Sequence, residues 1–365
     1  MSQVEQPLSA RQFHRILIVK PSSLGDVLHG LPVLHFLRER FPDAELHWMV
    51  SRPLAPLIEG QPGIDRLVLF DRKELGRAGR SVAATRRLFG FIRALRGQAY
   101  DLVVDLQGLF RSALFARCSG APVRVGFRQT REFAWCWYSH FIPVQDSSMH
   151  AVDRNRDVGR LFQKDAATAR FNYRVLPEAA ATARARLDQF GLSAKAYFAL
   201  VPGARWETKM WDASKFADVA LRLQERTGMR SLLLGGPEDR KRCEIIAKAA
   251  SGAAVNLAGE TTLPVLAALL AEARHVVCHD SGAMHLAVAL DRPVTCIVGP
   301  TNADRTGPYG RSDDVVRLPL SCSPCYLRKL SQCPHDHACM RDLPSEAVFE
   351  AVCAREAGQV GAQGC

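Results

Sequence analysis

The sequence predicts an α/β fold made of two Rossmann-like, doubly wound parallel-sheet domains facing a cleft. Three observations predict it. Short apolar runs alternate with helical segments along the chain, the pattern of a parallel sheet with crossover helices. The alternation occurs twice, separated by an Ala-rich helical stretch that ends in loop, Leu176 to Ala196. The length of 365 residues is long for one domain and comfortable for two.

The first half opens on the buried strand "RILIVK". "GDVLHGLPVLHFLRERF" follows, with apolar residues at helical spacing. "ELHWMVS" and "DRLVLFD" read as strands, "RSVAATRRLFGFIRALRGQ" as an amphipathic basic helix and "YDLVVDLQ" as a strand. In the second half "YFALVPG" is a strand ending in Pro-Gly. "DASKFADVALRLQERTG" is a helix with Asp212 or Ser214 as cap and Gly228 as stop. "RSLLLGG", "HVVCHD" and "VTCIVG" are strands. "EDRKRCEIIAKAA", "LPVLAALLAEAR" and "SGAMHLAVAL" are helices. The expected domains are 1–180 and 181–345, followed by a C-terminal helix or tail, 346–365.

Composition narrows the function. The chain is 47% hydrophobic and 23% charged, with mean hydropathy −0.07, which fits a globular protein with a full core. No stretch approaches the ~18 unbroken apolar residues of a membrane span. The N-terminus has no long apolar segment of the secretory kind, so a cytosolic protein is expected. The net charge is +11, and it is uneven: Arg72 to Arg131 holds thirteen Lys/Arg against three acids. Such a balance points to an anionic partner, although a solvated basic face has the same composition.

Ligands of doubly wound sheets bind beyond the carboxyl ends of the strands, so the post-strand loops carry the candidate chemistry. In "HDSGAMH", Asp280 ends a strand, Ser281 and Gly282 open a helix, and His285 lies one turn in. Free amides at a helix N-terminus suit a phosphate. Asp280 would repel that phosphate and fits sugar hydroxyls better. The plain alternative makes Asp280 an N-cap and His285 a core histidine. "PGARWETKMW" offers the turn amides of Gly203 and Ala204, and Lys209 as a cation for a leaving diphosphate; a surface lysine is the alternative. "GGPEDR" offers Asp239 for ribose hydroxyls, or an ordinary helix-start acid. Neither G-x-x-x-x-G-K-[ST] nor a G-x-G-x-x-G after the first strand is present, which disfavours P-loop and dinucleotide enzymes. The loop "KPSSLGDVLHG" carries an acid, Asp26, where a phosphate loop would present only amides.

Eleven cysteines are present. Seven, at 118, 136, 243, 278, 296, 353 and 365, are scattered and read as small hydrophobes or idle thiols. The others form Cys322-x2-Cys325-x7-Cys333-x5-Cys339. They allow a structural zinc site. Against it stand the wide second spacing and the stiffening Pro324 and Pro334, and four reduced or partly paired cysteines are the alternative.

Taken together, "ILIVKPSSLGDVLHGLPVL", "YDLVVDLQGLFRSAL", "KMW", "LLLGGPEDR", "NLAGETTLPVLAALLAEARHVVCHDSGAMHLAVALDRP" and "GPTNADRTGPYG" resemble the bacterial heptosyltransferases of glycosyltransferase family 9. The resemblance spans about residues 15 to 345. It implies a GT-B-type, metal-independent, cofactor-free enzyme that inverts at the anomeric carbon and moves heptose from ADP-heptose onto the lipopolysaccharide inner core. The "SSLGDVLH" and "DLQGLFRS" wording resembles the first heptosyltransferase, which acts on Kdo-lipid A; the cysteine tail resembles the second. Asp26 is then the expected general base, on an acceptor loop whose Gly25 permits a tight turn. Ser23, Gly25, Gln107, Arg111, Arg128 and Arg131 are expected to bind the acceptor. Gly203, Ala204, Asp239, Thr261, Asp280, Ser281, Gly282 and His285 are expected to bind the donor, and Lys209 to stabilise departing ADP. Asp212 departs from the family's usual proline, which should alter helix entry. The expected working form is a monomer at the anionic inner leaflet. Two rivals remain: a family member with another donor or acceptor, and a nucleic-acid-binding protein. The second lacks a known module and lacks aromatics interleaved with the basic residues.

Overall fold

The computed structural model describes residues 7–71, 76–77, 79–130, 132–146, 148–163 and 169–362. The chain divides into two compact units, Met1–Tyr173 and Arg174–Cys365.

Unit 1 holds β1 (Arg15–Val19), β2 (Glu45–Ser51), β3 (Arg66–Phe70), β4 (Leu102–Asp105), β5 (Val123–Phe127) and β6 (His140–Ile142). All pair in parallel, in the order β3-β2-β1-β4-β5-β6. Unit 2 holds β7 (Tyr197–Val201), β8 (Arg230–Leu233), β9 (Ala254–Asn256), β10 (His275–His279), β11 (Val294–Ile297) and β12 (Val315–Val316). Its order is β12-β11-β10-β7-β8-β9, the same topology counted from β7. In each sheet the order reverses between the first and fourth strands of the unit, and that switch point is where α/β sheets bind ligands.

Helices on both faces bury the central strands, so they are continuous apolar runs. Ile16 to Val19, and all of β7 and β10, are buried. The helix Ala213–Thr227 shows how the sequence sets an element. Asp212 accepts from Ser214 N at 2.7 Å and caps it, and Gly228 ends it at φ 70°. Its inner face, Phe216, Ala217, Val219, Ala220 and Leu223, enters the unit 2 core. The Ser214 hydroxyl, which donates to Asp212 Oδ1 at 2.7 Å, and then the Ser214 amide hold the Asp212 carboxyl below its ordinary pKa. An acid, Asp212, thus sets the entry of this helix.

The helix Val82–Arg96 behaves differently. It buries only Ala84 and Leu95, while Val82 is 80% and Phe89 66% exposed. Val82, Arg86, Phe89, Arg93 and Arg96 recur at helical spacing, and all five are exposed.

Candidate active site

In unit 1, β1 and β4 end side by side, with Val19 opposite Asp105. Lys20 follows β1 and is buried; its Nζ donates to Leu106 O at 2.7 Å and lies 3.7 Å from Asp26 Oδ1. Asp26 is the third residue of the helix Leu24–Leu28, whose N-cap is Ser23. Its Oδ2 accepts from Ser23 N at 2.9 Å and Ser23 Oγ at 2.8 Å, a capping-box arrangement. One oxygen is therefore held by the loop and the other faces the lysine. The carboxylate remains 43% exposed. Gly25 departs from expectation: it lies buried inside this helix, outside the positive-φ glycines, so it forms no left-handed turn.

The β4 loop is shaped by Asp105, which is fully buried. Oδ1 accepts from Gln107 N at 2.8 Å and Gly108 N at 3.1 Å, and Oδ2 accepts from Tyr138 Oη at 2.7 Å. Burial pushes its pKa up, while these bonds oppose the shift. Gly108 sits at φ 66°, where a side chain is strained. A pocket of about 230 Å³ opens here, lined by Ser22, Met49, Gln107, Phe110, Arg111 and Glu132 among others. The Gln107 Oε1 is buried and has no donor. Ser23, Asp26, Gln107 and Arg111 thus share the switch point of unit 1. Arg128 stands one strand further, beyond β5, with its guanidinium 5.5 Å from the Phe141 ring centre. Arg131 lies outside the described residues.

In unit 2, the loops after β7 and β10 meet. Lys209 Nζ donates to Asp280 Oδ2 at 2.8 Å and Asp280 O at 2.9 Å, and lies 4.8 Å from the Trp206 ring centre. Asp280 Oδ2 also accepts from Thr301 Oγ1 at 2.6 Å; His285 Nε2 is 4.0 Å from Oδ1. The Asp280 side chain is 4% exposed. Asp280, expected to meet sugar hydroxyls, here turns one oxygen to Lys209 and Thr301. Its occupied oxygen and its burial make it first the group that positions Lys209. Thr306 Oγ1 lies 3.4 Å from the same oxygen; neither threonine stands in a sequence context with a chemical signal, Thr301 between Pro300 and Asn302 and Thr306 between Arg305 and Gly307.

Ser281 caps the helix Gly282–Ala289, and its Oγ is buried without a partner. An orphan hydroxyl beside the first helical amides is a set of unsatisfied groups suited to an anion. Gly203 and Asp239 come together: a Cβ at Gly203 would lie 2.3 Å from the Asp239 carboxyl, which accepts from Gly236 N at 2.9 Å. Burial raises the Asp239 pKa, against the pull of that amide. Ala204 follows in the same loop. Thr261 precedes Thr262, the N-cap of the helix Leu263–Glu272, close to the turn in which Gly259 N donates to Gly235 O at 3.0 Å. His279, unremarked in the sequence, anchors the lysine loop: its Nε2 accepts from Trp211 N at 2.9 Å, and burial pushes its pKa down to about 3.

Gly203→Ala tests the closeness of the first and second loops. The methyl must displace Asp239 from its amide, so we expect a stability loss of ~1–3 kcal/mol. Adding Asp239→Ala should recover most of it. Urea unfolding of both variants measures this, and an unchanged midpoint in Gly203→Ala would contradict the packing.

The four clustered cysteines are free. Burial, then the three neighbouring thiols, raise the Cys339 pKa to about 11. Among the described residues, however, no three His, Cys, Asp or Glu side chains form a group able to hold a metal. Cys339 is buried against the unit 2 core while Cys325 is exposed. Cys365 lies outside the described residues.

A family model for glycosyltransferase family 9 (heptosyltransferase) matches residues 88–335. The chain belongs to that family. It is 33% identical to lipopolysaccharide heptosyltransferase 1 of Pseudomonas aeruginosa over 320 residues, covering 85% of this chain and 86% of the relative. The structure of a family 9 glycosyltransferase from Veillonella parvula superposes with a TM-score of 0.80 at 22% identity, over 95% of this chain and 98% of that one. E. coli heptosyltransferase WaaC with ADP-2-deoxy-2-fluoro heptose gives 0.72 at 27% identity, over 93% and 99%. The family 9 member described here has the two-sheet GT-B-type architecture expected from its sequence.

Proposed function

We propose that this chain is an inverting glycosyltransferase that moves heptose from ADP-heptose to Kdo or the first heptose of the lipopolysaccharide inner core. The observation that carries the proposal is the pair of switch-point loops. Unit 1 offers a half-exposed carboxylate anchored at one oxygen; unit 2 offers a lysine beside a helix N-terminus with an orphan hydroxyl. An inverting displacement needs one base on the acceptor and one set of positive groups on the leaving diphosphate. Asp26 takes the proton of the acceptor hydroxyl as that oxygen attacks the anomeric carbon. Lys209 and the amides of Ser281 and Gly282 stabilise departing ADP, and no covalent carboxylate is required. Asp280 holds the lysine until the diphosphate competes for it. Gly203, Ala204, Asp239, Thr261 and His285 bind the donor; Ser23, Gly25, Gln107, Arg111, Arg128 and Arg131 bind the acceptor.

The donor is supported by the heptosyltransferase WaaC structure holding ADP-2-deoxy-2-fluoro heptose. The relative named heptosyltransferase 1 supports Kdo as the first acceptor to try. Unit 1 is read as the acceptor domain and unit 2, ending in the helix Ser345–Ala362, as the donor domain. We take the single chain as the working unit, because both loops belong to it. The test is mass spectrometry of inner-core lipopolysaccharide from a strain lacking this protein: the core should stop before a heptose. A full-length core would reject the reading.

Among the described residues no helix is long and apolar enough to cross a membrane. We place the protein on the cytoplasmic face of the inner membrane, held peripherally by the exposed helix Val82–Arg96. Its Phe89 and Val82 suit the acyl boundary and its arginines the anionic headgroups, at ~1 kcal/mol per charge. Phe89→Asp should cut sedimentation with phosphatidylglycerol vesicles by about tenfold, the worth of one buried aromatic ring. Equal binding by the variant would remove this helix as the contact.

A further inference from the structure

A second basic pocket lies at the opposite edge of the unit 2 sheet. It has a volume of about 670 Å³, in the ~300–1,000 Å³ range of small-molecule sites. Lys195 precedes β7, Arg274 precedes β10 and Arg292 precedes β11, so the amino ends of three parallel strands form it. The active-site loops leave the other ends of the same strands. Arg274 and Asp280 bracket β10, roughly 20 Å apart at ~3.3 Å per residue.

The charges of this pocket do not cancel. Five cations and three carboxylates line it. Glu356 pairs with Arg274, Asp314 with Arg355 at 2.9 Å, and Asp291 with Arg311. All three acids are therefore committed. Lys195 and Arg292 are left over. Lys195 Nζ donates to the backbone of Ala271, and Arg292 Nε to Leu290 O at 3.4 Å. Neither forms an ion pair among the described residues. They also feel each other: burial first, and then the Arg292 charge, lowers the Lys195 pKa. Glu272, outside the pocket lining, partly offsets the charge on Lys195; the three acids of the lining are paired with arginines, and two like charges in one concavity are relieved by an anion that accepts from both. Phosphate oxygens fit this donor set, since a guanidinium fork and an ammonium match them.

We propose that this pocket binds a phosphate-bearing anion, held by Lys195 and Arg292, at a site separate from the donor and acceptor loops. A lipid headgroup and a free phosphorylated molecule share this chemistry.

The test is calorimetric titration of the full chain with inorganic pyrophosphate. Lys195→Gln/Arg292→Gln should weaken the pocket's pyrophosphate binding by about tenfold or more, the loss of charge-assisted hydrogen bonds, and leave ADP binding unchanged. Arg292→Lys, which keeps the charge, should retain most of the affinity and guards against a folding defect. Competition by phosphatidylglycerol vesicles, absent with phosphatidylcholine vesicles, would support the site with a headgroup as its ligand. Pyrophosphate binding indifferent to vesicles would support it with a free ligand. No pyrophosphate binding by the wild type, or equal affinity in the double variant, overturns the proposal.

Discussion

Asp26→Asn should lower heptosyl transfer by ~10²–10⁴-fold, the usual worth of a general base, while ADP-heptose binding stays near wild type. Asparagine keeps an oxygen that accepts from Ser23, so the turn at the start of the helix Leu24–Leu28 persists. It cannot accept the acceptor's proton, and it removes the negative charge 3.7 Å from Lys20. The buried lysine then keeps its bond to Leu106 O, so a modest fall in melting temperature should accompany the loss of rate. Steady-state kinetics beside calorimetric ADP-heptose binding measures both. Turnover within a few-fold of wild type would remove Asp26 as the base.

Lys209→Ala should lower kcat/KM by ~10²–10³-fold, as expected when one donor to a developing charge is lost. It also leaves the buried Asp280 without its cation. Removing one partner of a buried pair costs roughly 3–5 kcal/mol, so stability falls as well. The two effects separate in Lys209→Met/Asp280→Asn. With both charges gone, and Thr301 still donating to the remaining oxygen, thermal stability should largely return. Activity should not. Recovery of both together would show that Lys209 acts only through folding.

The legible parts of the fold were those whose burial is written as continuous apolar runs. Strands β1 and β7 are such runs, β10 has the apolar centre Val276–Cys278 between two buried histidines, and each sits at the centre of its sheet. Strands β6, β9 and β12 escape sequence reading because they are edge strands of two or three residues. Strand β5 escapes it because Arg124 interrupts its apolar pattern. The site divides in the same way. Lys209, Asp280 and Ser281 lie between a strand and a helix, and Asp26 in the first helix after β1, so local pattern finds them. The partners of these residues come from elsewhere in the chain. Thr301 reaches Asp280 from the loop after β11, and His279 supports Trp211 across the sheet end. Lys20, in the same loop as Asp26, is held by the Leu106 carbonyl that follows β4. Lone Thr, His or Lys residues carry no such information until the strands are ordered. Asp280 shows the limit most sharply: its position was readable, and its inward orientation was not.

The central claim is heptose transfer by this chain, and one assay tests it directly. Purified protein is incubated with ADP-heptose and, in separate reactions, Kdo-lipid A and heptosyl-Kdo-lipid A, and the lipids are weighed by mass spectrometry. One acceptor should gain a single heptosyl residue, with release of ADP, and Asp26→Asn should abolish the gain. Both acceptors recovered unchanged beside intact ADP-heptose, from protein that is folded and binds the donor, would contradict it.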